Sequence, residues 1–507
     1  MATGLHRFHG GLDLPGHKAP ASEAPLRACP LPARLHVPLL QHAGAVARAA
    51  VEPGQRVHRG DLLGDVSGER GAAVHAPAAG RVEAVAEAPL AGLDGLPVPH
   101  VVLRVDSDPE PPARRLPPLD ASAAPRTLLL ERIREAGVTG LGGAGFPSAE
   151  KLSVARDCLI LNGAECEPWI SCDDRLIRDR PGEVLHGARL MARIVGATRV
   201  LIAVEDRMQA ALDALRQALA ADTGTRAGDG DPRIELVAVP SRYPEGGERQ
   251  LIEVLTGREV PRGGLPRDIG VLVHNVATAT AAWRAVDQGE VLTHRIVTVA
   301  GPGVAAPCNL EVAIGTPMAD LVQAAGGYTE QARRLVLGGP MMGQALPHDG
   351  FAVTKTTNCL LVLDAEAAAP QGPQRPCIRC GACAEACPAR LLPQQLLWDV
   401  LSADMERGRA DGLPDCIECG CCDLVCPSRI PLAQHFRHAR GLLRQRDTEA
   451  AEAEAARLRH EARQRRLGED AERRARQAQA RKDALSSPDA VAAAIARARA
   501  RKAGGGD

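Results

Sequence analysis

Between residues 126 and 290, apolar residues recur with two different spacings, and the two spacings alternate along the chain. A spacing of three to four residues in RTLLLERIREAG, GEVLHGARLMARIVGA and MQAALDALRQALAA predicts helices. The short apolar runs of CLILNGAE, TRVLIAVE and RIELVAVP predict buried strands. Strands that alternate with helices are typical of a parallel α/β sheet. We therefore expect an α/β domain at 126–290.

A different pattern precedes this domain, at residues 35–110. The segments VEPGQRVHRGDLLGDV and VHAPAAGRVEAV carry Gly or Pro turn signals between alternating apolar positions, which predicts short strands. This pattern resembles the barrel-sandwich fold of biotinyl and lipoyl carrier domains. A carrier domain needs a lysine on an exposed hairpin, but the turn between the two halves reads SGERG. We expect the fold with a structural or docking role, and not the carrier function.

The remaining segments have simpler patterns. Residues 1–34 form an N-terminal segment, and residues 111–125 are a proline-rich linker. Residues 291–360 are predicted to form a small α+β unit, and residues 366–440 are rich in cysteine. The tail, residues 441–507, is rich in Arg, Glu and Ala and nearly free of large apolar residues, so it cannot bury a core. We expect the tail to be a solvated helix or disordered.

Composition limits the classes of protein to consider. The chain has 507 residues, of which 45% are hydrophobic and 24% charged, so several soluble domains are expected. The net charge of −1 gives no indication of a nucleic-acid partner. No apolar run reaches the roughly 18 residues of a membrane-spanning helix, and the N-terminus MATGLHRFHGGLDLPGHK lacks the apolar core of a signal peptide. We expect a cytosolic protein, or a peripheral subunit if it works at a membrane.

The 15 cysteines are concentrated in one part of the chain. Disulfides are rare in a reducing cytosol, so other roles are expected for these thiols. Nine of them lie between Cys377 and Cys426, in two tight groups. The other six are expected to be small buried hydrophobic residues: Cys29, Cys158, Cys166, Cys172, Cys308 and Cys359.

Both groups contain the run C-x2-C-x2-C-x3-C-P, which is typical of ferredoxins with two 4Fe-4S clusters. Three cysteines of a run reach one cluster, and the fourth, followed by proline, reaches the other cluster. The predicted ligands of cluster 1 are Cys377, Cys380, Cys383 and Cys426, and those of cluster 2 are Cys387, Cys416, Cys419 and Cys422.

Two further points concern these runs. Cys421 breaks the spacing and is not expected to be a ligand. The alternative to clusters is a pair of structural zinc sites. Zinc sites usually use two C-x2-C pairs or histidines, so the doubled run with Cys-Pro favours clusters.

The stretch GLGGAGFP, residues 140–147, matches the glycine pattern G-x-G-x-x-G. A Rossmann site needs a strand before these glycines and a helix directly after them. Here the preceding segment is predicted to be helical, and Phe146-Pro147 follows. The pattern therefore indicates a different loop, one whose backbone can approach a ligand closely because glycine has no side chain.

Three segments beyond this loop carry a resemblance: NGAECEP (162–168), YPEGGERQ (243–250) and VHNVATA (273–279). With GLGGAGFP they resemble the NADH-binding flavoprotein subunit of respiratory complex I, over roughly residues 126–350. The resemblance implies that FMN and a nicotinamide nucleotide share one pocket.

The resemblance also implies site residues. The loop that wraps FMN corresponds to Gly140, Gly142, Gly143, Gly145 and Lys151. Further FMN contacts correspond to Asn162, Glu165, Asn275 and Thr278, and nucleotide contacts to Phe146, Glu167 and Glu248. The chain departs from the family at Leu141 in place of Arg, at Ala164 in place of Asp, and at Gly247 in place of Glu.

The order of domains resembles the RnfC component of the Rnf (Rsx) ion-translocating electron transport complex, over residues 1 to about 440. The unit at 291–360 then corresponds to a β-grasp-like (SLBB-type) domain. This resemblance implies a peripheral subunit on the cytoplasmic face of the bacterial inner membrane. Its partners would be the membrane-embedded and iron–sulfur subunits of the complex and a ferredoxin-like electron partner. Electrons would pass between NAD(H), FMN and two 4Fe-4S clusters, coupled by the complex to ion translocation.

Two side chains of the predicted pocket keep alternatives open. Only Lys18, Lys151 and Lys355 precede the tail, and we expect Lys151 on the phosphate or ribityl side of FMN. Its alternative is a solvated surface lysine, and no role is assigned to Lys355. Phe146, one of four phenylalanines, can stack on a nicotinamide or pack as an ordinary apolar residue.

Two other functions remain as alternatives. One is a soluble NADH dehydrogenase, or the diaphorase part of a hydrogenase. The other is a non-enzymatic iron–sulfur relay whose flavin pocket has decayed, as Leu141 and Ala164 would allow. The barrel-sandwich start and the doubled ferredoxin runs favour the Rnf-type function.

Overall fold

The computed structural model describes residues 4–66, 70–92, 96–106, 112–221, 231–368 and 372–503. Most of the turn SGERG and the predicted boundary at 110–111 lie outside the described residues. The chain divides into two compact units, residues 1–436 and 437–507.

The first domain has two small antiparallel sheets, ordered β2-β8-β7-β4 and β3-β5-β6. Apolar side chains that alternate along the strands fill the space between them, and Leu35, Val82 and Leu103 are completely buried. The strands of this part of the chain are β1 (Arg27–Ala28), β2 (Arg34–Pro38), β3 (Arg48–Ala49), β4 (Arg56–Val57), β5 (Leu62–Asp65), β6 (Val74–His75), β7 (Gly80–Pro89) and β8 (Pro97–Val105).

The second domain has a four-stranded parallel sheet, as the alternating pattern predicts. The central strands carry continuous apolar runs because helices cover both of their faces. The elements are α1 (Arg126–Glu135), α2 (Ser148–Lys151), β9 (Cys158–Gly163), α3 (Cys172–Asp179), α4 (Pro181–Val195), β10 (Arg199–Glu205), α5 (Gln209–Ala221), β11 (Arg233–Val239), α6 (Glu248–Thr256), a 3₁₀ turn (Pro266–Ile269), β12 (Val271–Asn275) and α7 (Val276–Asp287).

The order of this sheet, β11-β10-β9-β12, has a consequence for function. The chain moves outward from β9 through β10 to β11 and then returns to the other side of β9. In open parallel sheets, ligands bind outside the carboxyl ends of the strands, in the crevice where the strand order reverses. The crevice between the ends of β9 and β12 is therefore the first place to look for a ligand.

A third domain is built on a six-stranded sheet, ordered β1-β14-β13-β17-β15-β16. Its two central strands are parallel, and a helix packs on the sheet, as in a β-grasp fold. The short strand β1 extends its edge, so the N-terminal segment is part of this sheet. The elements are β13 (His294–Ala300), β14 (Cys308–Ala313), α8 (Met318–Ala324), β15 (Arg334–Leu337), β16 (Gln344–Leu346) and β17 (Cys359–Leu363).

The cysteine-rich segment is made of short helices joined by loops that carry the thiols. They are α9 (Ala365–Ala368), α10 (Ala382–Glu385), α11 (Pro393–Leu401), α12 (Met405–Ala410), a 3₁₀ turn (Leu413–Asp415) and α13 (Cys421–Leu424). Each cysteine run turns through a left-handed glycine, Gly381 at a φ of 83° and Gly420 at 74°. Cysteine runs and helices thus alternate in the same way in both halves.

The tail is helical over its described residues. The helices are α14 (Leu432–Ser486) and α15 (Pro488–Ala503). Within the second unit the side chains are mostly exposed, and pairs such as Arg457 with Glu461 (2.6 Å) follow the i, i+4 spacing. Among the described residues, no helix combines the length and the apolar character that a membrane span requires.

Candidate functional site

The carboxyl ends of β9 and β12 bring two asparagines side by side, since Asn162 and Asn275 are neighbours in the sheet register. Asn275 caps α7 by accepting a hydrogen bond from the Ala277 amide (2.8 Å). Its Nδ2 donates to Oδ2 of Asp173 (2.5 Å). Asn162 accepts from the Ala164 amide (3.0 Å) and donates to the Gly246 carbonyl (2.9 Å). Two residues predicted from sequence therefore meet at the crevice.

The glycine loop, residues 140–147, crosses over this crevice. It follows α1 and precedes α2, so no strand leads into it, as the sequence predicts. The Leu141 amide donates to Oγ1 of Thr278 (2.9 Å). A Cβ at Gly142 would lie 3.2 Å from Cβ of Asn275, so only glycine fits without displacing the asparagine. Gly143 has a φ of 108° and its α-carbon faces open space. The loop thus offers an exposed strip of backbone above Asn275.

Glu165 lies beneath the crevice and not on its surface. It is 8% exposed, and its carboxylate accepts hydrogen bonds from the Asp173 amide (3.1 Å) and the Asp174 amide (3.3 Å) at the start of α3. Burial raises the pKa of this carboxyl group, while Lys18 and the Asp173 amide act in the opposite direction. Glu165 thus holds the segment 162–168 against α3.

Glu167 joins the second domain to the third. One of its oxygens accepts hydrogen bonds from the amides of Met341 (2.7 Å) and Met342 (3.0 Å). Burial raises the pKa of Glu167, and the two amides oppose that shift. A Cβ at Gly339 would overlap the Glu167 side chain, so this contact depends on a glycine. Glu167, which the resemblance assigns to the nucleotide, therefore accepts hydrogen bonds from backbone amides of the chain itself.

Three further residues predicted from sequence lie nearer to solvent: Lys151, Glu248 and Phe146. The Lys151 ammonium is 2.8 Å from a carboxylate oxygen of Glu248, which begins α6. The two side chains are 31% and 40% exposed, so this ion pair contributes little to stability. Phe146 is half-buried, with the Arg70 guanidinium 5.4 Å from its ring centroid. Lys151 and Glu248 are thus placed so that an incoming phosphate or nucleotide must compete with their pairing.

Three buried or half-buried cations support this site, and the sequence did not identify the function of any of them. Lys18 reaches from the N-terminal segment and donates to the carbonyls of Glu165 (2.5 Å) and Ile170 (2.6 Å). Arg295, on β13, donates to the carbonyls of Lys355 and Leu141, the latter at 3.3 Å. Because lysine is rare in this chain, the sequence does mark Lys18 as a residue of interest. Nothing in the residues around it, however, identifies the carbonyls that it binds.

Lys355 is the third cation, and it is almost completely buried, at 1% exposed. Its ammonium donates to the carbonyls of Ala73 and Gly137, both at 2.7 Å, so it joins the first domain to the end of α1. Burial lowers the pKa of Lys355 to about 7. Lys355 thus fixes the junction from which the glycine loop departs.

The cysteines of the two runs line two separate small cavities. One is lined by Cys377, Cys380, Cys383 and Cys426. The other is lined by Cys387, Cys416, Cys419 and Cys422, with Cys421 beside them. In each cavity three thiols come from one run and the fourth from the other run. We call the first set the outer cysteines and the second set the inner cysteines.

The two sets differ in their surroundings. Cys380 of the outer set is exposed, whereas Cys419 and Cys422 of the inner set are buried. Tyr243, 2% exposed, donates its hydroxyl proton to the Cys419 carbonyl (2.7 Å). Tyr243 lies three residues before Gly246, whose carbonyl is bound to Asn162. The inner cysteines are therefore packed against the segment that borders the crevice.

Outside these runs, the other six cysteines fall into two groups. Cys172, Cys308 and Cys359 are buried, as expected of small apolar residues. Cys29, Cys158 and Cys166 are partly exposed. Cys166 accepts a hydrogen bond from the Gly246 amide (3.2 Å), so this thiol also helps to shape the border of the crevice.

Three known domain families match the chain. They are the RnfC barrel sandwich hybrid domain over residues 6–108, the Nuo51 FMN-binding domain over 133–284 and the SLBB domain over 296–345. These matches confirm the barrel-sandwich start, the flavoprotein core and the SLBB-type unit. The RnfC match begins at residue 6, within the segment that the sequence set apart as 1–34.

Curated relatives extend over almost the whole chain. The C subunit of the ion-translocating oxidoreductase complex of Pseudomonas aeruginosa is 46% identical over 93% of this chain and 60% of the relative. Its counterpart in Serratia proteamaculans is 40% identical over 98% of this chain and 70% of the relative. The chain belongs to the RnfC family of Rnf-type ion-translocating oxidoreductase complexes. It spans 60–64% of the length of the first five of these relatives.

Two solved structures of an NAD⁺-reducing [NiFe]-hydrogenase are also similar to part of the chain. The H₂-reduced form has a TM-score of 0.45 and the air-oxidised form 0.46, both at 22% identity. Each match covers 62% of this chain, and 60% and 63% of the respective hydrogenase chains.

Proposed function

We propose that the protein is the NAD(H)-handling subunit of an Rnf-type complex, with FMN at the β9/β12 crevice and a 4Fe-4S cluster in each cysteine cavity. The observation that carries this proposal is the packing of the inner cysteines against Tyr243, at the border of that crevice. FMN supplies the exchange between the two electrons of a nicotinamide and the single electrons of the clusters. The protein residues hold and orient these groups.

The crevice has the features that a flavin requires. The exposed backbone from Gly142 to Ala144 leaves room for a flat ring to lie against the solvent side of the loop. The Lys151 ammonium, just beyond the loop, supplies a positive charge for a phosphate, and Glu248 holds it in place until the phosphate binds. Phe146 and Glu167 border the same region and are assigned to the nicotinamide nucleotide. Asn162, Glu165 and Thr278 hold the floor of the pocket.

The two cavities have the composition that cubane clusters require. Four thiols line each one, in the three-plus-one arrangement of two-cluster ferredoxins. The ligands are those predicted from spacing, and Cys421 is left out of the ligand set. The inner cysteines would hold a cluster on the side of the crevice, and the outer cysteines one on the exposed side, and such clusters would supply one-electron transfer.

The outer cavity has a surface suited to an electron partner. Arg375, Arg379 and Arg429 are exposed around it, together with the apolar Ile378, which is 67% exposed. Positive charge and exposed apolar surface beside a cluster favour a small acidic iron–sulfur protein. The partner therefore belongs to the ferredoxin-like class, and the complex, on the cytoplasmic face of the inner membrane, couples this electron flow to ion translocation.

The proposal is tested by anaerobic reconstitution of the full chain with iron, sulfide and FMN, followed by addition of NADH. We expect bleaching of the flavin absorbance and an electron paramagnetic resonance signal from reduced clusters. Clusters without flavin, and no response to NADH, would leave only the iron–sulfur relay. Co-purification with membranes separates the Rnf-type function from a soluble NADH dehydrogenase.

A matched pair of variants tests the role of Lys151. In Lys151→Ala we expect flavin content to fall at least about tenfold at limiting FMN, since a charged contact to phosphate contributes about 1.5–3 kcal/mol. Arg216→Ala is the control, because Arg216 pairs with Asp213 on the exposed face of α5, away from the crevice. Unchanged flavin content in Lys151→Ala would remove Lys151 from the site.

A further inference from the structure

A second cavity adjoins the same parallel sheet, and Cys166 and Tyr243, at the border of the crevice, are among its lining residues. It has a volume of about 310 Å³ and is bordered by the carboxyl end of β10, the loop after β11 and the start of α5. Residues of the N-terminal segment, including Leu14 and Lys18, close its other side. None of the residues assigned above to FMN, to the nicotinamide nucleotide or to the clusters lines it. We call it the strand-end cavity.

Glu205 gives this cavity a specific acceptor. It is the last residue of β10, is 3% exposed and lines the cavity, and its Oε1 has no hydrogen-bond partner among the described residues. The side chain thus presents the cavity with a buried carboxyl group whose hydrogen-bonding capacity the described residues do not fill. The carboxylate is held next to Lys18, which opposes the effect of burial on its pKa.

The position of Glu205 in the sheet indicates the class of donor. β9, β10 and β11 lie in sequence from the crevice outward, so Glu205 ends the second strand of the sheet. In nucleotide-binding sheets of this order, an acidic residue in that region accepts hydrogen bonds from the hydroxyls of a ribose. A pair of neighbouring hydroxyls also matches a carboxylate with one free oxygen.

Positive groups also line the cavity, and one of them, Arg207, stands two residues before the start of α5. Arg178 lines it, and its Nε is buried without a partner among the described residues, while its Nη2 donates to the Ser22 carbonyl (2.6 Å) and to Asp174. Arg207 is exposed and also lines the cavity. The first turn of the 13-residue helix α5 points its amide end there, and its dipole favours an anion. A phosphate fits this side.

We propose that the strand-end cavity binds a nucleoside 5′-monophosphate group, with its ribose hydroxyls on Glu205 and its phosphate between Arg207 and the start of α5. Leu14, Met208 and Tyr243 supply the apolar surface for a base. The volume is at the lower end of that of ligand pockets, about 300–1,000 Å³, and suits one nucleotide but not a whole dinucleotide. The group is either a free nucleotide or the adenylate half of a dinucleotide.

The test uses AMP and calorimetry with the full chain, prepared with and without FMN. We expect saturable binding of AMP, reduced at least about tenfold in Glu205→Gln. The 2′,3′-dideoxy analogue of AMP is expected to bind wild type and Glu205→Gln equally, because it lacks the hydroxyls. Glu235→Gln is the matched control, since Glu235 lies near the opposite end of the same sheet, paired with Arg199, and should bind AMP normally.

The phosphate side is tested with Arg207→Ala, whose side chain is exposed and makes one long hydrogen bond, to the Leu14 carbonyl (3.4 Å). This variant should lose affinity for AMP and keep its affinity for adenosine. If wild type shows no saturable AMP binding, or if Glu205→Gln and Arg207→Ala both bind AMP as wild type does, the proposal is wrong. If Glu205→Gln does not fold, the affinity of Arg207→Ala for AMP alone tests the proposal.

The source of the nucleotide is read from NADH-dependent dye reduction. An effect of AMP that is lost in Glu205→Gln supports the site. Competition with NADH then identifies the adenylate half of the dinucleotide, and any other pattern identifies a free nucleotide. Competition that persists unchanged in Glu205→Gln comes from the nucleotide site of the crevice and counts against the strand-end cavity. The binding test on protein without FMN gives an answer even if the protein has no NADH dehydrogenase activity, so the two proposals fail separately.

Discussion

The crevice and the cysteine cavities are built in opposite ways. The crevice depends on contacts between residues far apart in the chain, such as Lys18 with Glu165 and Glu167 with Met341. The cysteine cavities are lined mainly by residues of two short runs, 377–388 and 416–427, joined by brief helices. The first site is thus a product of packed domains, whereas the second is a product of local sequence and of the inorganic group that it is proposed to hold.

The largest expected effect comes from removing iron. Without clusters, the cysteine loops lose the bonds that connect them, because metal binding supplies much of the folding free energy of such small modules. We expect hydrogen exchange in residues 372–436 to rise to nearly unprotected rates after anaerobic chelation. Exchange in β9, β10 and β12 should stay slow, since their side chains form an apolar core. A cysteine-rich segment that stays protected without iron would contradict this comparison.

The crevice should respond to a single added side chain. Gly142→Val places atoms against Asn275, so we expect FMN affinity to fall about a hundredfold, equal to about 2.7 kcal/mol. The measurement is bound flavin per chain, with iron content determined on the same samples. Gly182→Val is the control, because nothing lies within 4 Å of a Cβ at Gly182. Loss of iron together with flavin in Gly142→Val would show that the two sites are not independent.

The junction beneath the glycine loop should have its own pH dependence. Burial lowers the pKa of Lys355 to about 7 from 10.5. Between these values the unfolded chain binds a proton that the folded chain does not, so the free energy of unfolding rises with pH. The gain is at most about 1.4 kcal/mol per pH unit, and we expect about 2 kcal/mol in total between pH 7.5 and 9.5.

Lys355→Met removes this titration, so its free energy of unfolding should lack that rise. The measurement is denaturant unfolding of flavin-free protein at both pH values, followed by a signal from the α/β core. The slope with pH is compared, and not the absolute stability, because the variant also loses two hydrogen bonds. Equal slopes in the two proteins would mean that Lys355 titrates normally.

The smallest effect concerns the contact between the two sites. Tyr243→Phe removes a hydrogen bond of about 1 kcal/mol to the Cys419 carbonyl, so the reduction potential of the inner cluster should fall by up to about 40 mV. The potential of the outer cluster should not change. The control is Tyr328→Phe, which removes the other tyrosine hydroxyl of the chain, bound to Asp349. A shift of both clusters, or of neither, would refute the assignment of inner and outer sets.

The same contrast explains what the sequence could predict. The cysteine runs have a fixed spacing, so the grouping of the cysteines into the two sets that line the cavities could be predicted from the sequence alone. Asn162 and Asn275 could be assigned to the FMN site by their resemblance to a known family. The parallel sheet could be predicted from the hydrophobic pattern. The domain boundaries and the roles of the individual site residues stay predictions.

The supporting cations could not be predicted in this way. Lys18 and Arg295 act through backbone carbonyls that come close only after three domains pack together. A backbone carbonyl acceptor cannot be recognised from the sequence, because every residue has a carbonyl group. The partners of Glu167 were missed for the same reason, since they are backbone amides of the SLBB domain.

The N-terminal segment has a further consequence, for biogenesis. Residues 6–12 lie across the end of the first cysteine run, 377–388, where the Gly11 amide donates to the Ala386 carbonyl (3.0 Å) and His9 bonds to the Cys387 carbonyl (2.9 Å). These residues are synthesised before the run that they cover, which lies far along the chain. The segment can therefore close only after the cysteine-rich module has been synthesised. Its closure therefore follows the synthesis of Cys387, a predicted ligand of the inner cluster, whose carbonyl it covers.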